Sequence, residues 1–526
     1  MKKIISFIIL AGLMIGCTER FDIVNTNPYR ISDEALEQDN NHLGAAFATM
    51  LSRLTGDQTM ENLATDDFVR HMGTPTAFEN NRNNTTYYPV DGWNSAFWNR
   101  IYNDVMSPAQ QIKTNALAED NIMFATWADL MQVLGLSRLT VYHGPLIYSN
   151  YGSKASTILY DSEEELYKLL FAKLDEIQKI FEANKTYPYM KKFDASYGGD
   201  VTKWIRLINT MRLRLAMRIV KADPVMAKEQ GEKAINDATK AGLILANRDN
   251  FILSLYGAVM PMSQICFSWN DTRMGAGMEE FLLGYNDPRL SKYFQPVKDD
   301  NLYADHPNQP YKGIASGSYI VRKTDREPYS LVSEAWKSAT GRRFFTAAET
   351  NFILAEAALR GWNVPKTAQE YYEEAVRQSF ADWEADGADV YLADDTSKPI
   401  DYVDPSDARN NYKTRSTITI KWDEAATDEE KLERIMTQKW IDSFTNANEI
   451  WSDHRRTGYP KLHYVPKNDS NATWGIIPAD GFLLRMPFVL AERDNNPNGV
   501  TDATQKLGGE NLISTRLWIH PDKPNF

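Results

Sequence analysis

The chain has 526 residues, 43% apolar and 24% charged, a globular balance that excludes a wholly disordered, collagenous or coiled-coil protein. A formal net charge of −12 argues against a protein built to hold a nucleic-acid backbone or an anionic lipid surface. The two cysteines, Cys17 and Cys266, allow neither a disulfide framework nor a cysteine-based zinc site.

Lys2 and Lys3 precede an apolar run from Ile4 to Ile15, closed by Gly16 and Cys17. The run falls short of the ~20 residues a membrane-spanning helix needs and suits a signal-peptide core. Leu13-Met14-Ile15-Gly16-Cys17 resembles a bacterial lipobox, with Met14 where Leu is usual. Residues 1–16 then read as a lipoprotein signal peptide, Cys17 as the lipidated residue and 17–40 as anchor and tether. More than one acyl chain on Cys17 gives stable anchoring. No later run is long and apolar enough to span a bilayer, so the lipid is the expected membrane contact, and 41–526 reads as a single domain.

Helical periodicity dominates that domain. Helices are expected from about Asn121 to Val141 and from about Asp200 to Lys221. Ser162-Glu163-Glu164-Glu165 reads as a capping box ahead of Leu166, Leu170, Leu174, Ile177 and Phe181 at helical spacing. Asp223-Pro224 reads as an N-cap followed by proline at the first helical position, opening a helix through Ala234, Ile235 and Ala238. Thr346 to Glu349 and Thr427 to Glu430 read as two further capping boxes. Ala355, Ala357, Ala358 and Gly361 give one helix a small-residue face, a turn at Pro365 follows, and Tyr371, Tyr372, Ala375 and Val376 line the next. That is the logic of tetratricopeptide-like hairpins, here as paired helices without a clean repeat. Long stretches with little helical pattern lie between: 55–98, 247–340, 388–426 and 459–526. Their aromatic content argues for ordered, functional loops.

Enzyme signatures are missing. There is no Gly-x-Ser-x-Gly elbow, His-Glu-x-x-His or P-loop, and the seven histidines are scattered, which suggests satisfied or solvent-facing side chains. Asp66-Asp67 and Glu279-Glu280 read as solvated or capping acids, since a glycosidase needs two carboxylates facing across a cleft. Cys266, between Ile265 and Phe267, reads as a buried inert thiol. Asp494 to Gln505 partly matches a calcium loop but has Gln505 where a bidentate Glu belongs, so it reads as a turn. No metal site and no cofactor is expected.

The informative pattern is aromatic and polar. Asp66, Arg70, Tyr88, Trp93, Asn94 and Trp98 cluster in one irregular stretch, with Trp269, Asn270 and Trp336 downstream. Sugar rings stack on Trp and Tyr while Asp, Asn and Arg hold hydroxyl edges, and peptides use similar pockets, so these residues are the candidate ligand site. Each Trp taken alone is more often a buried loop anchor.

Several stretches in order carry a family resemblance. They are the lipobox with Phe21-Asp22-Ile23 and Asn25-Thr26-Asn27-Pro28, then Lys203-Trp204-Ile205 into Asn209 to Arg218, and Asn286 to Leu290. Glu349 to Gly361, Gln438-Lys439-Trp440 through Pro460, and Arg485-Met486-Pro487-Phe488 follow. Phe488 stands where Tyr is commoner and Val489 replaces the usual Pro. Together they resemble the SusD/RagB-like nutrient-binding outer-membrane lipoproteins over nearly the full length.

The resemblance implies a mostly α fold, with tetratricopeptide-like hairpins as scaffold and a loop-rich ligand-binding half. It implies a lipid-anchored protein at the outer membrane, facing the cell exterior, that binds an oligosaccharide or peptide without turning it over. It also implies a TonB-dependent, SusC-like barrel as partner. Glu19 and Asp22 only partly match the acidic export signal of such lipoproteins. The family has no fixed binding motif, so the aromatic candidates rest on composition and loop placement. Arg212, Arg214 and Arg218 on an apolar helix are expected to snorkel or pair with acids, and Asp453, Arg455 and Arg456 to fix a loop. The competing readings are a surface-tethered glycan hydrolase and a helical scaffold without a small ligand.

Overall fold

The computed structural model describes residues 38–236 and 239–526. Cys17, the signal peptide 1–16, most of the tether and Ala238 lie outside the described residues.

The centre of the fold is a helix that is apolar nearly all round. Ile122–His143 is buried from Met123 to its end, as such a pattern requires. With Asn41–Arg53 as α1, Asp91–Ile101 as α2 and Ser107–Ala118 as α3, this central helix is α4. Gly135 lets α2 approach it, since a Cβ there would lie 3.2 Å from Ile101 Cγ2. α3 and α4 form one antiparallel hairpin.

The next helices follow their start signals. α5 (Glu163–Ala183) opens on a reciprocal box between Ser162 and Glu165. α6 (Val201–Arg218) is capped by Asp200, and α7 (Pro224–Ile235) by Asp223, with Pro224 at the first position. α8 (Ala347–Leu359) and α9 (Ala368–Asp382) form the hairpin expected from the small-residue face, its bend helped by Gly361 at φ 69°. α10 (Asp428–Asp442) opens on the reciprocal box between Thr427 and Glu430, and α11 (Ala447–Thr457) follows it.

Three expectations need correction. Thr346 does cap α8 by accepting from the Glu349 backbone, but the Glu349 carboxylate does not return to the cap. It pairs with Arg214 at 2.5 Å instead, because a buried guanidinium holds a carboxylate better than a backbone N–H does. Asp494 to Gln505 is not a turn: Leu490–Asn495 is helical, and Pro497–Leu507 (α12) starts directly after Asn496. Asp453 and Arg456, on α11, tie helices together, while Arg455 beside them does hold a loop, donating to the Leu484 carbonyl at 2.6 Å.

Strands are few. β1 (Met72–Gly73) pairs antiparallel with β3 (Arg273–Met274), and β2 (Phe251–Ser254) with β4 (Gly341–Phe345). The first pair joins two of the long loop stretches to each other, and the second ties one of them to the strand that leads into α8.

Charges cross between the hairpins. Arg212 pairs with Asp175 on α5 at 2.6 Å, Arg214 with Glu349 on α8, and Arg218 with Glu449 on α11 at 2.6 Å. Arg456 on α11 makes a two-pronged contact with Glu356 on α8 at 2.5 and 2.8 Å, and Lys439 on α10 holds Asp453 at 2.7 Å. Burial of these groups is tolerable only because each finds its counter-charge. Among the described residues, no helix is long and apolar enough to cross a membrane.

Candidate functional site

Two of the open clefts in the loop-rich half are reached from the 57–101 segment. The first, of about 560 Å³, is lined by Asp57, Gln58, Arg100, Gln264, Trp269 and others. Its aromatic wall is Trp269, 46% exposed and therefore unusual for a tryptophan.

The backbone around Trp269 is pinned on several sides. Its N–H donates to Gln264 O at 2.9 Å, and its carbonyl accepts from Lys323 Nζ at 2.9 Å. Asn270 takes a left-handed conformation at φ 61°. Its side chain is gripped by Glu327 at 2.9 Å and by Arg273 at 2.5 Å. Asp271 accepts from Thr76 Oγ1 at 2.7 Å and from Lys323 at 2.8 Å. A left-handed non-glycine residue persists only where its surroundings over-determine it, and here the result is an outward-facing indole. The cleft's charges are already paired: Arg100 with Asp57 at 2.9 Å, and Lys337 with Glu334 at 2.6 Å. Such a wall suits a neutral, hydroxyl-rich ligand.

The second cleft, of about 590 Å³, is lined by Glu79, Arg82, Tyr88, Asp91 and Trp474 among others. Glu79, Asn80 and Asn81 are all left-handed, at φ 52°, 56° and 58°. The turn they make leads into Arg82, whose guanidinium sits 4.0 Å from the centre of the Tyr88 ring. Arg493 pairs with Asp91 and lies 5.3 Å from the Trp474 ring centre. Trp93, on α2, stands edge-on to Phe78 at 5.9 Å beside this cleft's lining residues.

The other candidates are inside the body. Asp66 is 1% exposed, and burial pushes its carboxyl up to about 7 against the pull of Arg138. Arg70 is fully buried and donates to the carbonyls of Asp67, Phe68 and His463 and to the Tyr87 hydroxyl. Asn94 is buried on α2 and accepts from Asn84 at 3.1 Å. Trp98 packs on Tyr102 at 4.6 Å and His143 at 5.4 Å. Trp336 lies against Phe444 at 5.7 Å, under a different cleft that it shares with Trp383 and Arg343. Trp269, Asn270, Tyr88 and Trp93 are therefore the candidates that reach the surface.

The carboxylate pairs are not solvated. Asp66, Asp67, Glu279 and Glu280 are each 1% exposed, Glu279 against Lys312 at 2.6 Å and Glu280 against Thr414 at 2.6 Å. Cys266 is buried, and burial pushes its thiol up to about 11, out of the reactive range. Among the described residues no cluster of His, Cys, Asp and Glu could hold a metal.

Arg82, Trp474, Asp57 and Arg100 escaped the sequence reading. Trp474 carried a usable signal, a lone tryptophan before glycine in a polar run, and Gly475 does adopt φ 100°. Asp57 and Arg100 carried none, since their pairing is made by the fold.

This architecture, helical hairpins carrying a loop-built face of aromatic-floored clefts, defines a binding-scaffold class. The comparisons narrow it. The SusD-like family model, described as Susd and RagB outer membrane lipoprotein, matches residues 23–520. A chitin-binding SusD homologue from Flavobacterium johnsoniae is 39% identical, with TM-score 0.87 over 92% of this chain and 100% of its own. A SusD homologue from Bacteroides vulgatus is 30% identical, with TM-score 0.85 over 93% and 100%. One from Bacteroides thetaiotaomicron is 28% identical, with TM-score 0.83 over 91% and 98%. No protein of curated function matches the chain. The chain belongs to the SusD/RagB family of outer-membrane lipoproteins.

Proposed function

We propose that this chain is a cell-surface glycan-binding lipoprotein, anchored through Cys17, that captures an oligosaccharide and delivers it to a TonB-dependent, SusC-like barrel. The observation that carries the reading is Trp269, a half-exposed indole on a pinned backbone beside charges that are already neutralised. A sugar ring offers an apolar face to the indole and hydroxyls to Gln58 and Gln264 on the same wall. The chitin-binding relative points to oligosaccharides of N-acetylglucosamine as the first ligands to try. On this reading the protein binds without cleaving, and the Asp66-Asp67 and Glu279-Glu280 carboxylates are buried.

The test is calorimetric titration with chito-oligosaccharides, other glycans and a peptide digest, with product analysis of each mixture. Saturable glycan binding without turnover, weakened by Trp269→Ala, supports the reading. Binding of peptides alone, or hydrolysis lost with one carboxylate, overturns it. Co-purification with a barrel of the SusC class tests delivery.

A further inference from the structure

Trp474, in the second cleft, is held by its backbone as Trp269 is in the first. Its N–H donates to Asn471, its carbonyl accepts from the Ile513 N–H at 2.8 Å, and Gly475 follows at φ 100°. A Cβ on Gly475 would lie 2.6 Å from Ser514 Oγ, so the turn that presents the indole has no room for a larger residue. Trp474 shares the cleft with Tyr88, and both rings are partly exposed.

The polar lining of this cleft is uncommitted. Glu79, Asn80 and Arg82 are exposed, and among the described residues their side chains make no hydrogen bond or ion pair. The left-handed turn that carries Glu79 and Asn80 is pinned at Asn81, which donates to Ser318 O at 3.1 Å and whose carbonyl accepts from Lys467 at 2.6 Å. Strain held in this way is characteristic of ligand clamps. A carboxylate, an amide and a guanidinium offer acceptors and donors together, which suits hydroxyl groups that both give and take a hydrogen bond. Glu79 and Arg82 carry opposite charge, and Asp91 is paired with Arg493, so the lining does not call for an ionic ligand.

The two clefts are neighbours. Asp91 lines the second and Arg100 the first, and both lie on α2, about 14 Å apart along its axis. A second link runs through the hydrogen bond from Thr76 to Asp271. Asp271 is two residues from Trp269 and Thr76 is three from Glu79, roughly 18 Å of chain at full stretch. Trp93, partly exposed, packs against Phe78 within that link.

Resting on the glycan reading of the Trp269 cleft, we infer that the second cleft is a further carbohydrate subsite, built on Trp474, Tyr88 and Arg82, and that one oligosaccharide lies across both. Once one end is seated, the other meets its cleft at high effective concentration, so affinity is governed by chain length. The protein then selects long chains over short fragments of the same glycan.

The test titrates the full mature protein in detergent, by calorimetry, with chito-oligosaccharides from the disaccharide upward. Affinity should step up about a hundredfold at the length that reaches both clefts, with one chain bound per protein. Trp474→Ala should remove the step, so that long chains bind no tighter than short ones. Arg82→Gln alters an exposed side chain with no ion pair, so it should keep the parent Tm and shrink the step. Affinity independent of length, two chains bound per protein at every length, or a step that survives both variants overturns this inference and leaves the glycan reading standing. No binding at any length overturns it together with the reading it rests on.

Discussion

Lys323 holds Trp269 by the backbone: its Nζ donates to the Trp269 carbonyl at 2.9 Å and, at 2.8 Å, to the Asp271 carboxylate two residues on. The aromatic wall of the first cleft is thus set by a group that need not touch the ligand.

Two substitutions separate the ring from its support. Trp269→Ala is expected to lower glycan affinity about tenfold or more with little change in Tm, because its ring is half exposed. Lys323→Met should cost a smaller factor, by loosening the indole's position. Calorimetry and thermal melts on both variants check this. A Lys323 variant that binds like the parent removes the positioning role.

Trp98→Ala should do the opposite. The ring is buried against Tyr102 and His143, so truncation leaves a cavity and costs about 3–5 kcal/mol of stability. Denaturant unfolding measures that loss. Glycan affinity of the fraction that remains folded should be unchanged.

Glu449 stands between Arg218 at 2.6 Å and Arg214 at 3.7 Å, and both arginines draw its carboxyl below the usual range despite its burial. Glu449→Ala strands the Arg218 guanidinium, while Arg214 keeps Glu349, and should destabilise by about 3 kcal/mol in urea unfolding. An effect below about 1 kcal/mol would show that water reaches these arginines.

Stability should peak on the acid side of neutral. Burial raises Asp67 and Glu280 to about 8, and Asp66, Glu163, Glu279 and Asp442 to about 7. A carboxylate with a raised folded pKa contributes stability that is complete below its unfolded value and is lost as pH rises through 7 to 8. Buried His71, His143 and His454 are depressed to about 3, so they contribute above about 6.5 and lose that contribution as pH falls towards 3. Tm should therefore rise from pH 8.5 to about 6, change little while the two sets oppose each other, and fall below about 4. A Tm that climbs steadily into the alkaline range contradicts this assignment.

Gly231 faces Trp362 so closely that a Cβ would lie 2.0 Å from the ring. Gly231→Ala gains helix propensity on α7 but must displace the indole. A net loss of about 1–3 kcal/mol is expected by thermal or urea unfolding.

What was legible in the sequence was local. Ser162 with Glu165 and Thr427 with Glu430 start helices because donor and acceptor lie three residues apart. Thr346 with Glu349 has the same spacing, yet the carboxylate turns to Arg214, a residue no local pattern couples to it. The pattern of aromatics marked the loop-rich half but could not sort Trp98 from Trp269. One sits on α2, facing the body, and the other follows a turn fixed by Lys323 and Glu327. The segment around Asn496 did carry its answer, since proline at a first helical position is a start signal, and α12 begins at Pro497.

The crossing ion pairs have a mechanical corollary. In a stacked-repeat protein each unit touches only its neighbours, so an end can unravel while the rest stands. Here α6 shares its charges with α5, α8 and α11, and α11 shares its own with α8 and α10. Peeling one hairpin away would bare half of several ion pairs at once. Under load the body should give way in one step, not helix by helix.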